Sequence, residues 1–415
     1  MDASVEAAVA DAHRREWAYV LAATVRVTGD IDFAEECVQE AYARALTSWP
    51  VQGIPSKPGA WLTTVARRRA VDLLRRNATY ERALPKLVGS ELSDPFDPDP
   101  LEPIADDRLR LIFTCCHPAL APESQVALTL RLVCGLTTSE VARMFLVQEA
   151  TMAARITRAK KKIASARIPY RVPAPAELSE RIDVVLTVVH LLFTTGHTAP
   201  AGSDLMRTDL VERALHLARM LRALLPSDPD VAGLLGLFLL TDARRSSRLA
   251  GDGSLTLLSE QDRSRWDADE IAEGIALVRE ALRRRPPGRF ALMAAIAAVH
   301  AEAPTWSATD WAELVGLYEV LTIIWPSPVV SLNHAVAVGF AAGPAAGLFA
   351  LDALADEPQL ANYAYLASSR ADFLRQLGKS DEASAAYRTA LSLTDNEVEA
   401  DFLTARQAEM EHDDE

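Results

Sequence analysis

Apolar residues recur at steps of three and four almost without interruption through this 415-residue chain, and the strict alternation of a half-buried strand is scarce. The pattern predicts amphipathic helices from end to end, an all-α protein. With 49% apolar residues the chain can build two to four domains, each with its own core. No apolar run reaches the roughly 18 residues needed to span a bilayer; the best, from Val184 to Phe193, is about half that length and carries His190. The segment Met1 to Glu6 is acidic and lacks the basic and apolar regions of a signal peptide, so a cytoplasmic protein is expected. Four cysteines in a chain of this length make no disulfide framework and suit a reducing compartment.

The net charge of −14 argues at first against a nucleic-acid partner, because phosphate binding rests on Lys and Arg. The distribution of that charge argues the other way. Residues 1–170 hold 22 Lys+Arg against 21 Asp+Glu, whereas residues 171–415 hold 21 against 36. Within the first part the cations gather in two stripes, Arg67, Arg68, Arg69, Arg75 and Arg76, then Arg155, Arg158, Lys160, Lys161 and Lys162.

Two Pro-rich polar stretches, Ser90 to Pro103 and Ile168 to Pro175, read as linkers. They divide the chain into 1–80, a linker at 81–104, a second domain at 105–168, a linker at 169–179 and an extension at 180–415. The first domain should hold helices over Val5 to Val27, Asp32 to Ser48 and Gly59 to Arg76. Asp32 and Glu35 fit a capping box at the second, and Trp61, Leu62, Val65 and Leu73 form the apolar face of the third. A loop carrying Pro50, Gly53, Pro55 and Pro58 joins them, and Ala250 to Arg265 could hold a short hairpin.

In the second domain Thr137 and Glu140 form a further capping box, Val141 and Phe145 lie one turn apart, and a short turn leads to a helix that ends in the second cationic stripe. This is helix-turn-helix spacing, which places the second helix in the major groove. Taken alone, the segment also fits two packed helices with a solvated basic end.

Two ordered motifs narrow the choice. Asp32-Phe33-Ala34-Glu35-Glu36-Cys37-Val38-Gln39-Glu40-Ala41-Tyr42 and Ala60-Trp61-Leu62-Thr63-Thr64-Val65-Ala66-Arg67-Arg68-Arg69 resemble region 2 of extracytoplasmic-function sigma factors, and the helix-turn-helix resembles their region 4. The segment Asp106 to Pro118, with Cys115-Cys116-His117, and the long extension resemble one subgroup whose extension is related to tetratricopeptide repeats. The resemblance implies a promoter-reading initiation factor without catalytic residues, cofactor or metal. It implies that Asp32, Glu35, Glu36, Val38, Gln39, Glu40 and Tyr42 engage core RNA polymerase at the beta-prime clamp helices, with a second contact at the beta flap. It assigns −10 DNA to Trp61, Thr64, Arg67, Arg68, Arg69, Arg75 and Arg76, and −35 DNA to Thr138, Thr151, Arg155, Thr157, Arg158, Lys160 and Lys161. Arg155 is expected to be partly structural.

The chain departs from the family at several points. Arg68 stands where an amide often helps to read the −10 base, Ala153 and Ala154 replace polar residues of the recognition helix, and Leu146 replaces the usual turn glycine. Phe193-Thr194-Thr195-Gly196-His197 stands where the subgroup has Phe-Asn-Glu-Gly-Tyr. In the extension, Ala371, Ala383, Tyr387 and Ala390 fit tetratricopeptide positions and Ala335, Gly347, Leu351 and Leu354 repeat them 36 residues earlier. An earlier pair, Leu210 to Leu225 and Val231 to Ala243, is compatible. Such a stack would offer a peptide or protein partner a concave surface, here expected to be acidic, and the acidic extension would regulate the factor in cis.

Two rivals differ in class. Cys115, Cys116, His117 and Cys134 could suggest a metal site or a nucleophilic thiol, but adjacent cysteines in an apolar helix do not ligate as a spaced pair does. The alternative is an ordinary helix-turn-helix regulator with a repeat module that binds a partner.

Overall fold

The computed structural model describes residues 3–83, 107–145 and 147–412, in two compact units, 1–188 and 189–415. The expected linker at 81–104 lies almost wholly outside the described residues, as do Asp106 and Leu146. Among the described residues the only strands are two-residue pieces, so the fold is all-α.

In the first unit, α1 (Ala3–Thr28) packs against both α2 (Ile31–Gln52) and α3 (Pro58–Ala83). Trp17, Leu21, Val38, Ala41, Leu62, Ala66 and Ala70 fill the space between them. The face of α3 turned inward is therefore Leu62, Ala66 and Ala70, at steps of four, with Trp61, Val65 and Leu73 half-buried beside it. Alanines there let α3 approach α1 closely. The expected capping box of Asp32 and Glu35 is not formed: Asp30 is the cap, its carboxylate accepting from the Phe33 amide at 2.8 Å. Nor does α2 stop before Pro50, which lies inside its last turn; the chain leaves the helix at Gly53, at φ +82°.

The second part of this unit holds α4 (Asp107–Cys115), α5 (Pro122–Leu128), which runs on into a π-helical turn at Thr129–Val133, α6 (Thr138–Met144) and α7 (Glu149–Ser165). Thr137 caps α6, and the capping box with Glu140 is complete, with the Thr137 amide donating to the Glu140 carboxylate at 2.7 Å and the Glu140 amide to the Thr137 hydroxyl at 3.2 Å. Met152, Ile156, Ala159 and Ile163 form the buried stripe of α7.

In the second unit most helices pack chiefly on their neighbours in sequence, through α10 (Pro229–Asp242) and α11 (Ala268–Ala281), α12 (Arg289–Glu302), α13 (Trp311–Ile324), α14 (Pro328–Ala342), α15 (Pro344–Asp352), α16 (Ala364–Gln376), α17 (Ser380–Ser392) and α18 (Glu397–His412). The helix α8 (Pro175–His197) enters this unit, and α9 (Thr208–Leu224) pairs with α10 as the earlier repeat reading expects. Ala371, Ala383, Tyr387 and Ala390 are buried, as are Ala335, Gly347 and Leu351, while Leu354 is half-buried. A short parallel pairing that periodicity gave no sign of, β1 (Ala201–Gly202) with β2 (Asp395–Asn396), joins the start of the unit to its end. Buried Asn396 locks it, donating to the carbonyls of Ala199 and Asp204 at 3.1 and 3.0 Å and capping α18 with its own oxygen. The hairpin expected in Ala250 to Arg265 reduces to one antiparallel bridge, Leu249 with Leu255. No helix among the described residues is long and apolar enough to cross a membrane.

Candidate functional site

The first cationic stripe lies on the outer face of α3. Arg67, Arg68, Arg75 and Arg76 are exposed, while Arg69 turns back onto α2 and pairs with Glu40 at 2.6 Å. Thr64 is exposed and donates to the Ala60 carbonyl one turn earlier. Trp61 meets buried Trp49 edge to face, with ring centroids 5.6 Å apart, which holds its indole at the end of α2 beside the Gly53–Lys57 loop. Of the expected −10 residues, Thr64, Arg67, Arg68, Arg75 and Arg76 are thus exposed on α3, while Trp61 is half-buried and Arg69 is turned to α2.

The expected polymerase-binding set separates. Asp32, Glu36, Gln39 and Glu40 are exposed on α2. Val38 and Tyr42 are turned into the bundle: Val38 is fully buried, and Tyr42 packs on His13 and Trp17 while its hydroxyl donates to the Ala12 carbonyl at 3.3 Å. They are the apolar seam of α2 against α1, so they present the acidic face without joining it.

Glu35 is 6% exposed and is held by two cations from the other domain of the same unit, Arg131 at 2.6 Å and Lys160 at 2.5 Å. Lys160 also pairs with Asp32 at 2.9 Å. Burial alone would lower the Lys160 pKa, but the Glu35 and Asp32 carboxylates outweigh it and hold the ammonium above its ordinary value. Arg131, which also lies over the Trp17 ring at 5.6 Å, carries no motif. Its only sequence signal is that it stands alone in the apolar run Leu128 to Val133, where a buried charge requires a partner. Removing both cations would leave the Glu35 carboxylate buried without a partner, a loss of about 3–5 kcal/mol. Arg26 with Asp107 at 3.6 Å, and the Tyr170 hydroxyl donating to the Ala22 carbonyl at 3.0 Å, tie the two domains further.

The expected −35 residues divide between two faces of α7. Thr151, Arg158 and Lys161 point outward, and Arg155 lies over the Phe145 ring at 5.5 Å, a packing contact that matches its expected structural part. Thr157 and Lys160, with Thr138 of α6, instead line a cleft of about 320 Å³ against α2.

Cys115, Cys116 and Cys134 are core residues. Burial drives the Cys116 thiol up to about 12 and that of Cys115 well above its ordinary value, so they are packed as neutral thiols. The His117 ring accepts from the Ala119 amide at 3.1 Å.

In the second unit, Phe193 stacks on Phe238 with centroids 4.1 Å apart, a Cβ on Gly196 would meet Leu210 of α9, and the His197 carbonyl accepts from buried Arg248. The Phe193 to His197 segment therefore works as a packing joint. A cleft of about 370 Å³ is lined by Trp306, Phe340, Phe402, Arg375 and Arg406. Asp372 and Glu260 share that lining, and Arg375 pairs with Asp372 at 2.7 Å and Arg406 with Glu260 at 3.2 Å, so the charges of this cleft are matched in sign.

Comparison with known proteins adds matches to three families and to individual relatives. Residues 12–79 match the sigma-70 region 2 family, residues 110–163 the sigma-70 region 4 family, and residues 181–282 a family of unknown function, DUF6596. An uncharacterised protein of Rhizobium meliloti (strain 1021) is 41% identical over 391 residues, 92% of this chain and 91% of its own. The probable ECF RNA polymerase sigma factor SigI of Mycobacterium tuberculosis (strain CDC 1551 / Oshkosh) is 30% identical over 164 residues, 39% of this chain and 56% of its own. The ECF RNA polymerase sigma factor SigL of Mycobacterium tuberculosis (strain ATCC 35801 / TMC 107 / Erdman) is 30% identical over 141 residues, 34% of this chain and 75% of its own.

Proposed function

Because the chain belongs to the extracytoplasmic-function branch of the sigma-70 family, a family of transcription factors and not of enzymes, we propose that it binds core RNA polymerase in the cytoplasm and directs initiation at specific promoters. Residues 1–80 take the polymerase and the −10 element, residues 105–168 the −35 element, and residues 180–415 form a TPR-like extension that receives a peptide or protein partner. The acidic face Asp32, Glu36, Gln39 and Glu40 meets the beta-prime clamp helices, and the second domain meets the beta flap.

The observation that carries this reading is the pairing of two separate cationic surfaces with two separate helices. On α3, Arg67, Arg68, Arg75 and Arg76 are exposed and suit phosphates, while the Trp61 ring stands ready for a base. On α7, Thr151 and Arg158 reach base edges from a capped helix-turn-helix, and Lys161 neutralises a phosphate. The extension, with its 36 acidic residues against 21 basic ones in 171–415, regulates the factor in cis.

Run-off transcription with core enzyme on the DNA upstream of the protein's own gene tests the reading. Initiation that depends on the protein supports it; binding to that DNA without co-purification of core polymerase would replace it with a helix-turn-helix regulator. Deleting residues 180–415 tests the cis role, which unchanged transcription would sink.

A further inference from the structure

Residues 171–415 hold 36 acidic side chains against 21 basic ones, and several arginines of the second unit pair with them: Arg219 with Glu273 at 2.8 Å, Arg222 with Glu280 at 2.7 Å and Arg406 with Glu260 at 3.2 Å. Three enclosed arginines do not. Arg248 is buried and Arg244 and Arg263 are half-buried, yet among the described residues no carboxylate lies within ion-pair distance of any of them.

The three stand together. A short 3-10 turn, Arg245–Ser247, carries Arg244 and Arg248 on its two sides, and a second, Arg263–Arg265, is tied to it by the Trp266 indole, which donates to Ser247 Oγ at 2.9 Å, and by the Asp267 amide, which donates to the Ala243 carbonyl at 2.9 Å. Burial lowers the pKa of Arg248, His197 and His300, and the nearby Arg244 charge adds to the effect in each. Burial, then Arg263, brings Arg244 itself down to about 10. The carboxylates that act on Arg248 are already engaged, Asp242 by Arg245 Nε at 2.7 Å and Glu399 by the Tyr365 hydroxyl.

Helix ends account for part of this cluster. Arg248 donates to the His197 carbonyl at the end of α8 and to Thr198 Oγ1 at 3.1 Å, and Arg263 Nη1 donates to the His300 and Ala303 carbonyls at the end of α12, at 2.5 and 2.7 Å. Cations belong at these negative helix ends. A remainder is left over. Arg263 Nη2, His300 Nδ1 and His197 Nε2 are buried without a protein partner, and the Arg244 guanidinium has neither a hydrogen bond nor an ion pair among the described residues. Unsatisfied buried polar groups are costly and an enclosed unpaired cation more so, and an anion satisfies both.

We propose that Arg244, Arg263, His197 and His300 bind the phosphate group of a small molecule. None of these residues has a part in the proposed promoter reading. Charge favours phosphate over carboxylate here: a phosphate ester carries about −1.5 to −2 near neutral pH, against −1 for a carboxylate, and the cluster holds three guanidinium groups. Its terminal oxygens can accept from the planar Arg244 fork, from Arg263 Nη2 and from the two ring nitrogens, each of which donates in one tautomer. The ligand would fasten the ends of α8 and α12 to the two short turns, so its binding would stabilise the extension.

The test is calorimetric titration of the full chain with inorganic phosphate, at constant ionic strength set by chloride. Saturable binding of one equivalent is expected, and Arg244→Gln should weaken it by about tenfold or more. Arg388→Gln, which removes the same charge from an exposed site, should leave it unchanged. Thermal unfolding gives the readout that a merely structural arginine would not. Without phosphate, Arg244→Gln should unfold at a higher temperature than the wild type, because an enclosed unpaired charge is gone; at saturating phosphate the order should reverse. Ribose 5-phosphate and acetate complete the titrations. A sugar phosphate that binds at least as tightly as free phosphate identifies an ester head group, and binding of free phosphate alone identifies the inorganic ion; both support the site. The wild-type titrations stand without the variants. No saturable phosphate binding, acetate bound as tightly as phosphate, equal weakening by the two variants, or an Arg244→Gln chain less stable than the wild type without phosphate overturns it.

Discussion

Arg69 on α3 is bound to Glu40 on α2 at 2.6 Å, so a cation expected on promoter phosphate and an anion expected on polymerase neutralise one another. The neighbours Arg67 and Arg68 are exposed on the same helix. Alanine at Arg67 or Arg68 should weaken promoter binding by the holoenzyme and flatten its dependence on salt, by about 0.9 in the log–log slope for each phosphate left without its arginine. Arg69→Ala should leave that slope nearly unchanged. Fluorescence anisotropy on promoter DNA between about 50 and 200 mM salt reads both. Equal slopes for all three variants would contradict the division.

The recognition helix allows a sharper test of specificity. Arg158 is exposed on the outward face of α7, its Nε donating to the Ala154 carbonyl one turn earlier at 3.2 Å, and the methyl side chains of Ala153 and Ala154 add no polar group beside it. Arg158→Ala should cost about 1–3 kcal/mol on the cognate −35 element and relax preference at one base pair. Arg155→Ala should act through folding, because its guanidinium rests on Phe145. Binding to a set of single-base promoter variants distinguishes the two, since lost packing shifts every sequence alike.

Two glycines in the extension should respond in opposite directions to the same change. A Cβ on Gly347 would stand 2.5 Å from Phe373 Cε2 and 2.6 Å from Gly339 Cα, whereas a Cβ on Gly316, in the helix α13, meets nothing within 4 Å. Gly316→Ala should stabilise by about 0.5–1 kcal/mol through helix propensity. Gly347→Ala gains the same propensity but must displace Phe373 or the facing backbone, an overpacking cost of about 1–3 kcal/mol. Urea midpoints at constant m-value decide the signs.

What was legible in the sequence was what short-range spacing determines. Thr137 and Glu140 are three residues apart, and the box they form needs nothing from the rest of the chain. The 36-residue echo of small residues located the closely packed helices around Gly347 and Ala383, because only small side chains allow that approach. Rotation of a helix about its axis was harder to read. Val38 and Tyr42 fit an apolar seam for a partner as well as one for α1, and only the packing of Trp17 and His13 chooses between them. Glu35 fitted a capping box with Asp32, yet Asp30 two residues earlier satisfies the helix end and frees Glu35 for Lys160, a residue 125 positions away. Long-range ion pairs leave no trace in local periodicity. Arg131 shows the one clue such a pair can leave, a single charge in an otherwise buried run.

The histidines of the second unit predict how stability depends on pH. His190 stacks on Phe238 and meets Phe290 edge to face, and burial, with Arg289 nearby, lowers its pKa to about 4; burial, then Arg244 and Arg263, do the same to His300. In the unfolded chain these rings titrate near 6.5. Between those values the unfolded state binds more protons, so their contribution is present above about pH 6.5 and is lost as pH falls toward 4, at up to about 1.4 kcal/mol per pH unit for each ring. Glu270 opposes this. Burial first, then Asp242 and Asp267, raise its pKa to about 7, so its protonation favours the folded state as pH drops from 7 toward the ordinary carboxylate range. The total curve therefore mixes signs, and the measurement that isolates the histidine is a difference. His190→Phe keeps an aromatic ring between Phe238 and Phe290 and removes the titration. Denaturant unfolding at a series of pH values should show the wild type losing stability faster than this variant from pH 6.5 downward, with the two curves parallel above it. Parallel curves throughout would mean that His190 takes up its proton as readily in the folded protein as in the unfolded chain.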